Sequence, residues 1–195
     1  VTTSIKRIRN VSSYFIGGKD LVYYGEGDTL VAPQIGRVCV YDFDLGVETT
    51  LINDLPGASA DNDVMNVKVG GVGQSQMHLY VMLNSGALFI YNLNADGKSV
   101  GEQVKSFTAA EIKALVGDPL LPRIRNFEVT NDEKYAFILN KPGSGGDANT
   151  RLHVLWAPTA YDVWKTQKFG SDAGNELIAG DEVDPDGDGL VNALE

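Results

Sequence analysis

Three stretches of this sequence open in the same way, and their agreement decides the fold. "RIRNVSSYFIGGKDLVYY" begins at Arg7, "DVMNVKVGGVGQSQMHLYVML" at Asp63 and "RIRNFEVTNDEKYAFILN" at Arg123. Each contains an apolar residue, any residue, an asparagine and a second apolar residue, and after a Gly/Asn/Asp-rich turn each enters a strand of aromatic and β-branched residues. The asparagines are spaced by 56 and 60 residues, at Asn10, Asn66 and Asn126. This spacing indicates an internal repeat.

Each repeat continues with a variable loop and a second apolar strand, "RVCVYDFDL", "ALFIYNLNA" or "RLHVLWAPT". These strands carry an aromatic residue at matching places, Tyr41, Tyr91 and Trp156, and a turn and a more polar strand follow. Units of 50 to 60 residues with three or four short antiparallel strands are typical of β-propeller blades. We therefore predict an all-β chain of three propeller-like antiparallel blades, at about residues 5–62, 63–122 and 123–170. A β-sandwich or another meander of hairpins is the alternative.

One segment departs from the strand pattern. In "TAAEIKALVGDP", Thr108 is a predicted N-cap and Glu111, three residues later, completes a capping box. Gly117 follows the last apolar residue as a C-terminal stop signal, with Pro119 beyond it. The segment predicts a short helix over residues 109–116, inserted between the second and third units, with Ile112, Leu115 and Val116 on its apolar face.

The number of repeats is smaller than a closed propeller needs. Closed propellers have about four to eight blades, so three blades leave two apolar faces uncovered. The chain also begins directly at a repeat boundary, in "SIKRIRN". We expect a partial propeller that is a fragment of a longer protein; a subunit that closes its ring with other copies, or a different packing of the sheets, is the alternative.

The charge of the chain is concentrated at its C-terminus. The net charge is −10, and residues 181–195 hold six acids and no Lys or Arg. No basic patch of the kind that binds nucleic acid is present, and no apolar run reaches the length of about 18 residues that a membrane span needs. Without an apolar leader segment, the chain is expected to be either cytosolic or a mature piece of an exported protein.

The acidic C-terminus, "DPDGDGLVNALE", follows the template of a twelve-residue calcium loop. Such a loop supplies side-chain oxygens at positions 1, 3, 5 and 9, a backbone carbonyl at position 7, a bidentate Glu at position 12 and a glycine at position 6 for the sharp turn. Gly189 takes position 6. The predicted calcium ligands are Asp184, Asp186, Asp188, Leu190 through its carbonyl, Asn192 and Glu195. Magnesium fits less well, because it prefers octahedral sites rich in water.

The segment "DEVDPDGDGLVNALE" resembles the calcium repeats of thrombospondin type 3 and dockerin-like modules of secreted and surface proteins of bacteria. The resemblance covers 12 to 15 residues, and it departs from those families in being a single copy that ends on Glu195. It implies calcium as the bound ion, export, and a secreted or cell-surface location. On this basis we divide the chain into β-rich repeats over residues 1–172 and an acidic EF-hand-like calcium-binding segment over residues 173–195.

The remaining candidate sites are weaker. Asp61, Asn62 and Asp63 form either a second cation site or, the interpretation that we favour, an Asx-rich turn. Cys39, the only cysteine, lies in an alternating strand and is expected to be a buried, inert thiol. If the propeller prediction holds, ligands would bind around a central channel near the three repeat asparagines.

No catalytic constellation can be assembled from spacing alone. His78 and His153 lie within predicted strands, where pairing across a sheet is favoured over catalysis. Ser75 and Ser144 do not fit the G-x-S-x-G pattern, and "GGVG" at residues 70–73 lacks the spacing and the following helix of a phosphate loop.

The sequence therefore favours an exported, non-catalytic protein of adhesion or surface assembly, with calcium stiffening the C-terminal junction. Its expected partners are the rest of a longer parent chain or other subunits, with a surface glycan or protein as ligand. The alternative is a fragment or subunit of a secreted propeller enzyme, a hydrolase, lyase or quinone-dependent dehydrogenase, whose active site lies mostly outside this chain.

Overall fold

In a computed structural model, the chain divides into two compact units, Val1–Trp156 and Ala157–Glu195. The first unit carries the β structure and the second contains short helices. The structure describes residues 7–27, 36–59, 62–117, 124–140, 150–156, 160–180 and 183–184. No helix among these residues has the length and apolar character needed to cross a membrane.

The described strands of the first unit form three separate antiparallel sheets, each made of consecutive strands. Sheet 1 contains β1 (Arg7–Ile16), β2 (Lys19–Gly27), β3 (Arg37–Asp42) and β4 (Val47–Ile52). Sheet 2 contains β5 (Val64–Gly70), β6 (Met77–Leu83), β7 (Leu88–Leu93) and β8 (Val100–Phe107). Sheet 3 contains β9 (Ile124–Val129), β10 (Tyr135–Asn140) and β11 (Arg151–Trp156). The prediction of an all-β chain with three propeller-like antiparallel blades is confirmed.

Sheet 2 lies between the other two sheets. Its first strand, β5, packs against β1 and β2 of sheet 1 and against β9 of sheet 3. Both faces of sheet 2 are therefore covered along β5 and β6, and every residue of these two strands is buried or half-buried. We call β1, β5 and β9 the inner strands, because they are the first strands of their sheets and lie side by side.

Among the described residues, two apolar cores hold the sheets together. The first core lies between sheets 1 and 2 and includes fully buried Leu21, Tyr23, Leu79 and Val81. The second core, on the opposite face of sheet 2, joins Met82 and Leu88 to residues of sheet 3 and to the helix that follows β8; its other buried members are Ile112, Ile124, Phe127, Val129 and Ile138. Burying these side chains is the main source of stability for the stack.

Sheets 1 and 2 approach each other most closely at Gly25 of β2. A Cβ added to this residue would lie 2.1 Å from Cγ1 of Val64 in β5, far inside van der Waals contact. Only glycine fits where the Val64 side chain comes this near to the backbone of β2.

The predicted helix is present as α1 (Ala109–Val116), with the predicted bounds. The Thr108 side chain accepts a hydrogen bond from the Glu111 amide at 3.2 Å, and the Glu111 carboxylate accepts one from the Thr108 amide at 2.7 Å. Gly117 ends the helix in the left-handed conformation, with φ of 65°. Ile112 is buried in the second core, whereas Leu115 is exposed, so the apolar face is narrower than predicted.

The repeat motif coincides with an irregularity in each inner strand. The register of β1 against β2 shifts between Ile8 and Val11, that of β5 against β6 between Val64 and Asn66, and that of β9 against β10 at the pair formed by Asn140 and Ile124. Each shift places one extra residue in the inner strand, as a β-bulge does. The repeated asparagine therefore marks a bulge near the start of each inner strand.

The second unit contains α2 (Ala160–Phe169), a 3-10 helix (Gly170–Gly174) and α3 (Glu176–Ala179). The third predicted repeat extended to about residue 170, but β11 ends at Trp156 and α2 takes up most of the segment in which a polar strand was expected. Helical spacing brings Lys168 over the Trp164 ring, with Nζ 5.2 Å from the ring centroid, since the two residues are one turn apart.

Candidate functional site

The predicted calcium loop lies almost entirely outside the described residues. Of its ligands, the structure describes only Asp184, which is half-buried; Asp186, Asp188, Leu190, Asn192 and Glu195 lie beyond that part of the chain. Calcium binding by this loop therefore stays a prediction from its template.

The possible second cation site is built as a turn with an ion pair. Asp61 lies outside the described residues. The Asn62 amide donates to the Gly57 carbonyl at 2.9 Å, and its oxygen accepts from the Ser85 amide at 2.7 Å. Asp63 is buried and pairs with Arg9, whose Nε lies 2.7 Å from Oδ2. These bonds support the Asx-turn interpretation and use Asp63 to join β1 to the segment that leads into β5.

The three repeat asparagines occupy equivalent positions but make different contacts. Asn10 donates from Nδ2 to the Met65 carbonyl at 2.9 Å and so links two inner strands. Asn66 is fully buried, and neither polar atom of its amide has a hydrogen-bond partner. Asn126 is exposed and accepts from the amide of its neighbour Phe127 at 3.0 Å. The structure thus brings the asparagines to adjacent inner strands without joining them into one ligand set.

A polar cluster that the sequence analysis did not identify lies on sheet 1, centred on Arg37. The guanidinium lies 3.1 Å from the Glu26 carboxylate and 3.3 Å from that of Glu48, and it donates to the Thr50 hydroxyl at 2.7 Å. Tyr24 donates its hydroxyl to the same Glu48 carboxylate. The register of β2, β3 and β4 places all of these side chains on one face of the sheet.

Part of this cluster has the composition of a metal site. One ligand atom from each of Glu26, Cys39 and Glu48 lies within 4.8 Å of the others. The Arg37 guanidinium, however, already provides the positive charge between the two carboxylates, at distances typical of ion pairs. A metal ion would have to displace it, so the cluster is better explained as an internal ion pair than as a metal centre.

The chemistry of Cys39 fits the same conclusion. The side chain is fully buried, and burial, reinforced by the nearby Glu26 charge, raises the pKa of the thiol to about 11. Burial and the hydrogen bond to Glu48 raise the pKa of Tyr24 as well. Both groups therefore stay protonated at neutral pH, and the thiol is neither a nucleophile nor a ready metal ligand.

A second cluster joins sheet 2 to the turn between β9 and β10. His78 Nδ1 lies 2.9 and 3.0 Å from the two carboxylate oxygens of Glu133, and Tyr80 donates to the same carboxylate at 3.0 Å. Burial and the negative charge of Glu133 raise the pKa of the Tyr80 hydroxyl. A carboxylate that orients one ring nitrogen of a histidine is an arrangement that general bases also use.

The backbone around Glu133 is unusual. Glu133 has φ of 60°, a left-handed conformation that is uncommon for residues other than glycine. A Cβ on Gly70 would lie 2.5 Å from the Glu133 carboxylate, so the glycine makes room for this side chain. The adjacent Asn131 accepts from the Val72 amide at 2.8 Å and donates to the Val72 carbonyl at 3.0 Å. Contacts with sheet 2 therefore hold this strained turn in place.

The other predicted candidates remain unremarkable. His153 lies 3.1 Å from the side-chain oxygen of Asn140 on the neighbouring strand, in line with pairing across the sheet. The "GGVG" segment ends β5 and leads into a turn and a strand, so no phosphate loop is formed there. Ser75 lines a shallow cavity of about 250 Å³ between the β5–β6 and β7–β8 turns. Ser144 lies outside the described residues.

Comparisons with known proteins identify no family. No family model matches the chain, and no curated protein matches it. Among solved structures, the chain is similar to two variants of an exo-beta-1,3-galactanase from Phanerochaete chrysosporium bound to beta-1,3-galactotriose, with 13% and 14% sequence identity and a TM-score of 0.41 for each. Each alignment covers 72% of this chain and 30% of the galactanase chain, so the chain corresponds to less than a third of that protein.

Proposed function

We propose that this chain is a structural segment of an exported, calcium-binding surface or adhesion protein, in which the C-terminal loop binds calcium and stiffens the junction beyond the β sheets. The observation that carries the proposal is the complete twelve-position ligand template of residues 184–195. Its carboxylates repel one another when no cation is bound, so binding of a divalent cation among them is expected to be favourable.

The polar clusters of sheets 1 and 2 support a structural role. Arg37 joins carboxylates of one sheet, while Arg9–Asp63 and His78–Glu133 each join two segments of the stack. Among the described residues these groups pair with one another rather than converging on an open cleft. A segment of this kind serves as a rigid support for a ligand-binding or assembly surface, with a glycan or a protein as partner.

Calorimetric titration with calcium tests the proposal. We expect the chain to bind one Ca²⁺ with a dissociation constant on the order of 10⁻⁴ to 10⁻³ M, the range of extracellular modules. A double variant, Asp188→Ala with Glu195→Gln, is expected to lose this binding because it removes a mid-loop ligand and the bidentate ligand.

A matched control separates coordination from general acidity. Asp181→Asn with Glu182→Gln also removes two negative charges from the C-terminal segment but leaves all twelve loop positions intact. Equal calcium uptake by wild type and the loop variant would refute the site. Loss of uptake in the control would mean that the segment attracts calcium only by its net charge.

A second candidate function is suggested by the geometry of His78. Its Nδ1 is oriented by Glu133, whose backbone is strained, and such strain is often retained at active sites. This favours the alternative that the chain is part of a secreted propeller enzyme, a hydrolase, lyase or quinone-dependent dehydrogenase.

The enzyme alternative is tested by assaying the intact parent protein on polysaccharide and ester substrates. Turnover that His78→Gln and Glu133→Gln abolish, and that His153→Gln retains, would establish it. Turnover that none of these variants changes would remove the His78 pair from catalysis, and absence of turnover would favour the structural role.

A further inference from the structure

Two aromatic side chains are exposed at one end of sheet 1. Phe15 of β1 is 66% exposed and Phe43, in the turn after β3, is 62% exposed. Asp20 of β2 lies between them, because it pairs with Phe15 and its carbonyl accepts a hydrogen bond from the Phe43 amide at 3.0 Å. Residues directly opposite each other on neighbouring strands share one face of the sheet. The last row of this face is therefore a carboxylate flanked by two aromatic rings.

The next row continues the same surface. Ser13, Val22 and Tyr41 are opposite one another on β1, β2 and β3. The Tyr41 ring packs edge-on against Phe43, with the ring centroids 5.1 Å apart. The first core takes the alternate residues, such as Leu21, so the two rows lie on the face away from sheet 2. We call Ser13, Phe15, Asp20, Val22, Tyr41 and Phe43 the aromatic patch; exposed apolar surface with polar groups around it is typical of interaction sites.

The aromatic patch carries a negative charge that the described residues do not neutralise. The Asp20 side chain is exposed and has no hydrogen bond or ion pair within the described part of the chain. The neighbouring Lys19 projects from the opposite face and lies 3.6 Å from Asp42. Arg37 shares the face of the patch but pairs with Glu26, which lies about 20 Å from Asp20 along β2. The Arg37 cluster is therefore a separate feature of this face.

The chemistry of the aromatic patch favours a cationic ligand group. An ionised carboxylate only accepts hydrogen bonds, and the faces of aromatic rings attract cations. A lysine ammonium or an arginine guanidinium only donates, and it supplies the positive charge that Asp20 has no partner for. A neutral sugar needs donors as well as acceptors, and within the patch only the hydroxyls of Ser13 and Tyr41 can donate. The patch therefore matches a basic side chain better than a glycan.

We infer that the aromatic patch binds a lysine or arginine side chain of a protein partner, with the cationic group beside the Asp20 carboxylate and between the rings of Phe15 and Phe43. The net charge of −10 attracts a basic partner to the chain at long range. The inference rests on the proposed surface role, for which it names the class of partner.

NMR titration of the intact chain with acetyl-Gly-Lys-Gly-amide, a probe with one positive charge, tests the inference. We expect the ring protons of Phe15, Tyr41 and Phe43 to shift as the probe is added. The neutral peptide acetyl-Gly-Gln-Gly-amide and the neutral sugar maltotriose are expected to leave these signals unchanged. Equal shifts with the glutamine peptide, or no shift with the lysine peptide, would overturn the inference. Shifts with maltotriose alone would overturn it as well and would assign the patch to a glycan.

Two variants test the parts of the aromatic patch separately. Asp20→Asn removes the charge at constant shape and is expected to weaken the affinity for the lysine peptide by about two- to fivefold, the range of an exposed ion pair. Phe15→Leu with Phe43→Leu keeps apolar side chains but removes both rings. We expect this double variant to weaken the affinity by about fivefold or more, since each exposed cation–π contact contributes a factor of about two to five.

Matched control variants lie elsewhere on the sheets. Asp54→Asn, after β4 at the opposite end of sheet 1, removes the same charge from an exposed position, and Trp156→Leu removes an exposed ring from sheet 3. Both are expected to leave the affinity unchanged. Equal losses from Asp20→Asn and Asp54→Asn would mean that net charge alone attracts the probe, and full affinity of the double leucine variant would exclude the rings. Either result overturns the inference.

Peptide binding and calcium binding fail independently of each other, because the aromatic patch contains no residue of the calcium loop. The Asp188→Ala, Glu195→Gln variant is therefore expected to bind the lysine peptide like the wild type. A wild-type chain that binds the peptide but not calcium would refute the calcium loop alone. A chain that binds calcium but not the peptide would overturn this inference and leave the calcium loop in place.

Discussion

Gly25 shows how a single residue controls the contact between sheets 1 and 2. We expect Gly25→Ala to reduce the free energy of unfolding by about 1 to 3 kcal/mol. The added methyl group would overlap the Val64 side chain and force the sheets apart. Urea denaturation followed by circular dichroism measures the change.

The matched control for this prediction is Gly101→Ala. The added methyl group at this position would lie 3.4 Å from Cβ of Asn92, close to ordinary van der Waals contact. If both variants lost the same stability, backbone entropy rather than the close approach of the sheets would explain the effect of Gly25→Ala.

The reactivity of the Cys39 thiol shows whether the face of sheet 1 that carries it stays buried. Because burial both hides the thiol and raises its pKa to about 11, we expect native Cys39 to react with a thiol reagent at pH 8 at least about a hundredfold more slowly than in the unfolded chain. The rate is followed by absorbance of the released chromophore.

An exposed thiol provides the comparison for Cys39. In Cys39→Ser with Ser75→Cys, the cysteine occupies an exposed position in the turn after β5 and is expected to react rapidly in the native state. Rapid reaction of native Cys39 would show that the face of sheet 1 around Arg37 opens readily.

At the scale of one element, α1 depends on its capping box. We expect Thr108→Ala to lower the free energy of unfolding by about 0.5 to 2 kcal/mol, since it leaves an amide of the first turn without its side-chain partner. Thr108→Ser keeps the hydroxyl and is expected to cost much less. Equal losses from both variants in urea denaturation would show that the methyl group, not the cap, is important.

The capping box also predicts how the stability of the protein changes with pH. Hydrogen bonds from the Thr108 amide and hydroxyl hold the pKa of Glu111 below its ordinary value. A lowered pKa means that the stabilisation is fully present above the ordinary glutamate pKa of about 4.3 and is lost as the pH falls through the lowered value. The stability difference between wild type and Glu111→Gln is therefore expected to shrink below about pH 4 in urea denaturation, whereas a constant difference would contradict this origin.

At the scale of the whole molecule, stability comes from the stacking of the sheets. Leu79 is fully buried in the first core, and we expect Leu79→Ala to cost about 2 to 5 kcal/mol by removing contacts and leaving a cavity. Leu45, in the exposed turn after β3, is the control, and Leu45→Ala is expected to change stability by less than about 0.5 kcal/mol.

Thermal unfolding should show the same order for these two variants. A small effect of Leu79→Ala would mean that sheets 1 and 2 are held mainly by polar contacts such as Arg9–Asp63 rather than by the apolar core. The two variants therefore distinguish the forces that hold the stack together.

Local signals in the sequence were sufficient to predict the strands of the three repeats and the helix α1. Strand alternation, Gly/Asn/Asp-rich turns and the "TAAEIKALVG" capping pattern act within a few residues, so they predicted the hairpins of the three repeats and the bounds of α1. They did not predict α2, because a polar segment such as residues 160–169 carries little periodicity to separate helix from strand. The calcium template likewise stays a prediction from local spacing.

What the sequence determined by itself was therefore the repeat and the type of its strands, together with the ligand pattern of residues 184–195. Only the tertiary structure decided that the repeated asparagine marks a bulge, that Arg37 joins two carboxylates, and that His78 meets Glu133 55 residues away. The physical reason is that strand register and sheet stacking depend on packing between side chains far apart in the chain, for which local conformational preference carries no signal.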